Sequence, residues 1–134
     1  MPAVGINLND VKERPRLPAG QELEFSILVA NPAIAKNPNK HSGVREPYIA
    51  CELRPVDPAW QDRKIFWNPS LSASALESDD PVFSIKKFFD VVGFSWGPNG
   101  DFATEDLLTI RFVGTAKYKE GDSRPQLATV LRRA

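Results

Sequence analysis

The sequence predicts a small domain made mainly of β-strands, with one helix late in the chain. Two observations support this prediction. Segments in which apolar and polar residues alternate recur along the chain, and prolines, glycines and asparagines bound them, which is typical of strands joined by turns. Between about residues 80 and 93 the apolar residues instead recur every three or four positions, as they do in an amphipathic helix.

Three strands are predicted before the helix. The first covers about Gln21–Ala30 and is expected to end at Asn31-Pro32, because proline cannot donate to a sheet ladder. A loop rich in proline and asparagine follows, up to about Pro47. The second strand covers Tyr48–Arg54, and the third, which is shorter, covers Lys64–Asn68.

The helix is expected to begin with Asp80 as its N-cap and Pro81 as its first residue. Gly93 is expected to end it, because glycine readily adopts the left-handed conformation that closes many helices.

Two strands are predicted after the helix. The fourth runs from about Leu107 to Tyr118, with Leu108 on its inward face, and Gly114 within it indicates a bulge or a bend. A hairpin turn over residues 120–125 leads into the fifth strand, about Gln126–Arg132.

This order of elements, with one helix between strands 3 and 4, is that of the OB-fold, a small five-stranded barrel. An open five-stranded sheet with one packed helix has the same order and remains an alternative. The chain of 134 residues has the size of one domain, so residues 1–134 are expected to form a single OB-like domain in which 1–19 are an extended lead-in.

The amino-acid composition indicates which cellular compartment and which class of partner to expect. The single cysteine, Cys51, cannot form an intrachain disulfide, so we expect a reducing, cytoplasmic location and a core position for its thiol. Neither a signal-peptide pattern nor an apolar run of membrane-spanning length is visible, so no membrane partner is expected. The 17 basic and 17 acidic residues cancel, which argues against a strong overall field.

No catalytic motif is visible. The chain has one histidine and one cysteine, too few for a typical zinc site, and its glycines do not form a phosphate-binding loop. The acidic pairs Asp79-Asp80 and Glu105-Asp106 are interpreted as caps and solvated residues, although a divalent-metal site is the competing interpretation. We therefore expect no enzymatic activity, no metal and no cofactor.

Basic and aromatic residues alternate where an OB-type barrel would meet a single strand. Cations follow phosphates and flat rings stack on unpaired bases in such proteins. Core burial is the competing interpretation for Trp67 and Tyr118, and protection of an edge strand is the competing one for the lysines of the last hairpin. The candidate nucleic-acid-binding residues are Lys36, Lys40, Arg45, Tyr48, Arg54, Phe66, Trp67, Arg111, Lys117, Tyr118, Lys119 and Arg124.

Several short segments occur in an order that resembles a family of small phage proteins. These segments are Arg16–Gly20, the loop from Lys36 to Gly43 before Tyr48, Phe66–Asn68, Ile85–Phe89 with Gly93, and Gly114–Lys119. Members of that family look like OB-fold single-stranded DNA-binding proteins encoded beside replication and recombination genes. The resemblance implies sequence-tolerant binding of single-stranded DNA during phage replication or recombination, in the host cytoplasm.

Two questions stay open at the level of sequence. A protein–protein interaction or assembly module on the same barrel is the alternative function, because the net charge is zero and the loops are rich in proline. DNA is favoured over RNA as the partner, and self-association into a homo-oligomer remains open.

Overall fold

One strongly curved antiparallel sheet organises residues 16–40, 43–60 and 62–134, the part of the chain that the computed structural model describes. Its strands are β1 (Leu23–Ile34), β2 (Pro47–Pro55), β3 (Ile65–Trp67), β4 (Arg111–Tyr118) and β5 (Pro125–Arg133). They lie in the order β3-β2-β1-β4-β5, with every neighbouring pair antiparallel. The edge strands β3 and β5 contact each other, so the sheet curls into an OB-like half-barrel, which confirms the predicted fold class.

The connection from β3 to β4 carries the helices. They are α1 (Ala73–Leu76), α2 (Ile85–Val92) and a 3-10 helix (Thr104–Thr109), and a further 3-10 turn (Pro58–Trp60) lies between β2 and β3. The predicted helix is α2, and it ends at Gly93 with φ 70°, as expected. The single turn α1 was not predicted.

The predicted start of the helix is wrong. Ser84 is the N-cap, and its hydroxyl accepts a hydrogen bond from the backbone N–H of Lys87 at 3.2 Å. Asp80 instead caps a separate turn, accepting the N–H of Val82 at 2.9 Å. The Ser84 hydroxyl also donates to the Leu76 carbonyl at 3.1 Å, which ties the start of α2 to α1.

Strand β1 continues beyond its predicted end at Asn31-Pro32. Pro32 lies opposite Ile49 of β2, but the N–H of Ile49 points the other way, to the Pro69 carbonyl at 3.0 Å. Pro32 therefore sits at a position where no hydrogen bond to β2 is required of its nitrogen. The ribbon of β1 and β2 extends further through the hydrogen bond from Ala35 N to Glu46 O at 2.9 Å, so the predicted long loop is a shorter hairpin.

Strand β4 begins later than predicted, because residues 104–109 form the 3-10 helix. Asp106 stabilises that helix by accepting the N–H of Ala103 at 3.1 Å. The helical turn buries Leu107 and leaves Leu108 45% exposed, so the prediction that Leu108 points inward is wrong.

The core is an aromatic cluster that joins α2 to the sheet. The ring of Phe88 lies 4.9 Å from Trp67 of β3 and 5.3 Å from Phe112 of β4, and Phe112 in turn lies 5.6 Å from Phe25 of β1. Cys51 of β2 is buried, as predicted, and burial raises the pKa of its thiol to about 12. The thiol is therefore protonated at neutral pH and belongs to the core.

Gly114 lies where β4 and β5 approach too closely for a side chain. The register between the two strands shifts next to Gly114, which confirms the predicted bulge. A Cβ atom at Gly114 would lie 2.3 Å from the carbonyl oxygen of Thr129 and 3.3 Å from the ring of Phe112. The bulge therefore requires glycine because of packing.

We expect Gly114→Ala to destabilise the protein by about 1–3 kcal/mol, because the methyl group must push β5 away from β4. The melting temperature should fall by about 5–10 °C. Gly121→Asn is the control, since Gly121 has φ 76°, open space around it, and a conformation that asparagine tolerates. Equal melting temperatures for Gly114→Ala and the parent protein would contradict the close approach.

Candidate nucleic-acid interface

Two exposed phenylalanines lie on the outer side of the seam between β3 and β5. Side chains alternate along β3, so Trp67 is buried at 4% exposure while Phe66 is 66% exposed. Phe83 is 58% exposed and lines a shallow groove of about 240 Å³ together with Phe66, Lys117 and Gln126. We call these four residues the seam surface.

Phe83 is held beside β3 by the turn that precedes α2. The indole Nε1 of Trp67 donates to the Val82 carbonyl at 2.7 Å, and Asp80 caps the same turn. Trp67 was predicted to contact nucleic acid, but its ring is buried and its N–H is used inside the protein. Trp67 still lines the groove beside Phe66, so its contact with nucleic acid stays a prediction, and its N–H positions Phe83.

A second, basic groove lies next to the seam surface. Its volume is about 340 Å³, and its charged lining residues are Arg16, Asp62, Arg63, Lys64 and Arg124. We call this the basic groove. Lys64 comes two positions before Phe66, on the same outer side of the chain, so the basic groove and the seam surface are adjacent.

Two exposed cations of the basic groove form ion pairs with partly buried carboxylates. Lys64 Nζ lies 3.1 Å from Glu52 Oε1, and Arg124 Nε lies 3.3 Å from Asp122 Oδ1. The backbone N–H of Arg124, followed by its side chain, donates to Asp122 and lowers the pKa of that carboxyl. The turn between β4 and β5 is therefore braced at neutral pH, and the brace is lost as the pH falls through the lowered pKa of Asp122.

Tyr118 lines the basic groove and packs against Arg16. Its hydroxyl donates to the Leu17 carbonyl at 2.7 Å, and the guanidinium of Arg16 lies 4.0 Å from the centre of its ring. Tyr118 was predicted to contact nucleic acid, with core burial as the competing interpretation. The structure places it half-buried, with Arg16 covering one ring face, so its geometry is that of a residue that positions the lead-in.

The hairpin between β1 and β2 carries a separate group of predicted residues. Lys36 and Lys40 are exposed, whereas Arg45 Nε donates to the Ala35 carbonyl at 2.8 Å and closes the hairpin. Tyr48 lies half-buried on the outer face of β2, four positions from Glu52, which faces Phe66. Four positions span roughly 13 Å of strand, so this group lies along β2 from the seam surface. His41 and Ser42 lie outside the described residues.

The remaining predicted residues occupy other parts of the outer surface. Arg54 and Arg111 lie on the outer faces of β2 and β4, on either side of Ser26 of β1. Lys117 lines the seam surface, and Lys119 is exposed in the turn after β4. The lead-in is described only from residue 16, so the prediction for residues 1–15 lies outside the described part.

The basic and aromatic residues of these two grooves that were missed from the sequence are Arg16, Arg63, Lys64 and Phe83. Phe83 falls within the predicted helix, but the structure places it in the turn before Ser84, the observed N-cap. Arg16 reaches the groove because Ala19 forms a parallel bridge with Ala116, a long-range pairing that no local pattern signals.

Comparisons of the chain with protein-family models, with curated proteins and with solved structures give no match. No helix within residues 16–40, 43–60 and 62–134 is long and apolar enough to cross a membrane. Within the same ranges, no three His, Cys, Asp or Glu side chains are grouped as a metal site.

We expect Tyr118→Phe to destabilise the protein by about 1 kcal/mol, because the Leu17 carbonyl loses its donor. Tyr118→Ala should cost roughly 3 kcal/mol, as truncation of a large packed aromatic does. Thermal melts measure both effects, with Tyr48→Phe as the control, since the Tyr48 hydroxyl makes no hydrogen bond to the described residues. Equal melting temperatures for Tyr118→Phe and the parent protein would show that the hydrogen bond from the Tyr118 hydroxyl to Leu17 does not stabilise the fold.

Proposed function

We propose that the protein binds single-stranded nucleic acid, DNA in preference to RNA, with little sequence preference and without catalysis. The observation that carries this proposal is the seam surface, where two exposed phenylalanine rings lie beside Lys117 and next to the basic groove. Exposed rings between cations suit a ligand that alternates flat bases and phosphates.

The exposure of Phe66 is unusual for its position. Its neighbours Ile65 and Trp67 are buried, so the strand is fixed by the core and Phe66 is presented outward on a rigid element. Leaving a phenylalanine side chain in water forfeits about 1.5–3 kcal/mol of burial free energy. A base stacked on the ring would recover part of that free energy, and stacking is worth roughly 1–3 kcal/mol per base.

The charges around the two grooves favour a polyanion, although the net charge of the chain is zero. Arg16, Arg63, Lys64, Lys117 and Arg124 outnumber the nearby acids Glu52, Asp62 and Asp122. The Lys64 side chain is half exposed, so water screens its ion pair with Glu52 and the pair contributes only modestly to stability. A phosphate group can therefore replace such an acid at small cost, with release of counterions adding to affinity.

The biological setting is part of the same proposal. The resemblance of the short segments to small phage single-stranded DNA-binding proteins favours a role in phage replication or recombination, in the host cytoplasm. A homo-oligomer is compatible with this role, since neighbouring copies can follow one strand.

An interaction or assembly module is the alternative, and a different surface favours it. Leu28, Val29, Ile34 and Val44 are exposed along the ribbon of β1 and β2 and its hairpin. Light scattering measures the molecular mass in solution and so tests whether copies of the chain associate through this surface. A concentration-dependent mass that Ile34→Ser abolishes, together with no affinity for oligonucleotides, would favour the alternative.

We expect Phe66→Ala and Phe83→Ala each to weaken binding of fluorescein-labelled oligo-dT by about 5- to 150-fold, the equivalent of unstacking one base. Fluorescence anisotropy measures the dissociation constant. Melting temperatures should hardly change, because both rings are exposed. Leu108→Ala is the control, since Leu108 is a similarly exposed apolar residue outside both grooves. If Phe66→Ala and Leu108→Ala bind equally well, the seam surface does not stack bases.

We also expect the double variant Lys117→Ala, Lys119→Ala to bind every oligonucleotide sequence more weakly. The slope of log affinity against log salt should fall by about 0.7 for each phosphate that the variant no longer neutralises. Anisotropy at several salt concentrations measures the slope, with Lys86→Ala, Lys87→Ala on α2 as a charge-matched control. An unchanged slope together with increased aggregation would mean that the lysines only protect the strand edge.

A further inference from the structure

A row of side chains crosses three strands on the outer face of the sheet. Ser26 of β1 lies opposite Arg54 of β2 on one side and opposite Arg111 of β4 on the other. All three point outward, because the residues that flank them along each strand are buried or face the core. Paired residues in antiparallel strands lie about 4.5–5.5 Å apart between Cα atoms. The two arginine backbones are thus about 10 Å apart, and the long side chains can reach one point above Ser26.

Neither arginine of this row has an acidic partner in the part of the chain that the structure describes. Within the described residues, no carboxylate lies within 4.0 Å of the charged nitrogens of Arg54 or Arg111. Among the other acids of this face, Glu52 is paired with Lys64 at 3.1 Å and Glu22 with Arg132 at 2.8 Å. Glu24 lies opposite Val113, diagonal to Arg111 but beyond ion-pair distance from it. The row therefore holds two positive charges close together that no ion pair among the described residues neutralises.

The Nε of Arg54 is buried and lacks any hydrogen-bond partner in the described structure. Burying a donor without a partner is costly, above all when the donor is charged, and native proteins rarely leave one so. An acceptor from outside the chain would relieve this cost once the Arg54 side chain turns its Nε–H towards the groove. The unpartnered donor is thus a second observation, independent of the clustering of charge.

A groove above the row gives a ligand access. Its volume is about 260 Å³, and Ser26, Arg54 and Arg111 line it together with Leu28, Pro55 and Val56. The Ser26 hydroxyl donates to the Arg54 carbonyl at 3.5 Å, which is the outer limit for a hydrogen bond. The hydroxyl can therefore turn and donate to a ligand at small cost.

We propose that Arg54, Ser26 and Arg111 form a phosphate-binding site. Two guanidinium groups supply forked donors that match the oxygens of a phosphate, and the serine hydroxyl supplies one more. A carboxylate would use fewer of these donors, so the number of donors favours a phosphate group.

The position of the site points to a backbone phosphate of a bound strand. Leu53 of β2 faces Ile65 of β3, so the next pair in this register brings Lys64 opposite Arg54. The row thus continues from Arg111 through Ser26 and Arg54 to Lys64, which lines the basic groove beside Phe66. This assignment of the phosphate rests on the proposed function, and it gives the strand a path across the sheet from the seam surface towards β4.

The test uses NMR of the arginine Nε–Hε groups in the full chain. Three titrations are compared: oligo-dT, inorganic phosphate, and sodium chloride at matched ionic strength. We expect the Arg54 and Arg111 signals to shift saturably with oligo-dT and to stay unmoved in chloride. Arg111→Gln should weaken the response of Arg54 severalfold and lower the salt slope of oligo-dT binding by about 0.7. Arg111 is exposed, so this variant should fold, and Lys86→Gln on α2 is the charge-matched control.

Each outcome decides a separate point. Saturable shifts with inorganic phosphate but not with oligo-dT would keep the phosphate site and assign it to a free phosphate ligand. No shift in either titration, while oligo-dT binding still depends on Phe66, would overturn this inference and leave the proposed function standing. If oligo-dT does not bind at all, the proposed function fails, and the inorganic phosphate titration still decides whether the site exists.

Discussion

The aromatic contact of Phe88 with both halves of the sheet is the interaction on which the rest of the structure depends. The strands β3 and β5 are the two edges of the sheet, and they meet without a ladder of hydrogen bonds between them in the described residues. Phe88 lies 4.9 Å from Trp67 on β3 and 5.3 Å from Phe112 on β4, and α2 also contacts β5, so α2 joins the two sides of the seam. Because rings of this size bury large apolar areas, such packing can close a barrel that backbone pairing leaves open.

The outer surface of the seam follows from the same contact. With Ile65 and Trp67 drawn into the core, Phe66 must face outward, and the Trp67 indole fixes the turn that carries Phe83. Trp67, which packs against Phe88 inside the barrel, thus determines where Phe66 and Phe83 lie on the outer surface. Tyr118 acts similarly for the basic groove, because its bond to Leu17 holds the lead-in and brings Arg16 to the groove.

The alternation of apolar residues was sufficient to predict the five strands, α2 and the burial of Cys51, because these depend on local periodicity. The wrong predictions lie where a side-chain hydrogen bond to the backbone, which apolar periodicity does not reveal, sets the local structure. Ser84 rather than Asp80 starts α2 because its hydroxyl bonds both Lys87 and Leu76, and Leu107 rather than Leu108 is buried because Asp106 caps a 3-10 helix. The row of Arg54, Ser26 and Arg111 depends on register across three strands, which sequence alone does not give.

Ultraviolet cross-linking of the intact protein to oligo-dT, followed by mass spectrometry of the linked peptides, tests the central claim most directly. Thymine forms covalent links only with side chains that it touches, so the linked residues map the surface that meets the bases. The account predicts links at Phe66 and Phe83, on the seam between β3 and β5. Links confined to Trp96 and Phe102, which line a separate groove beside α2, or efficient binding without any link at the seam, would contradict it.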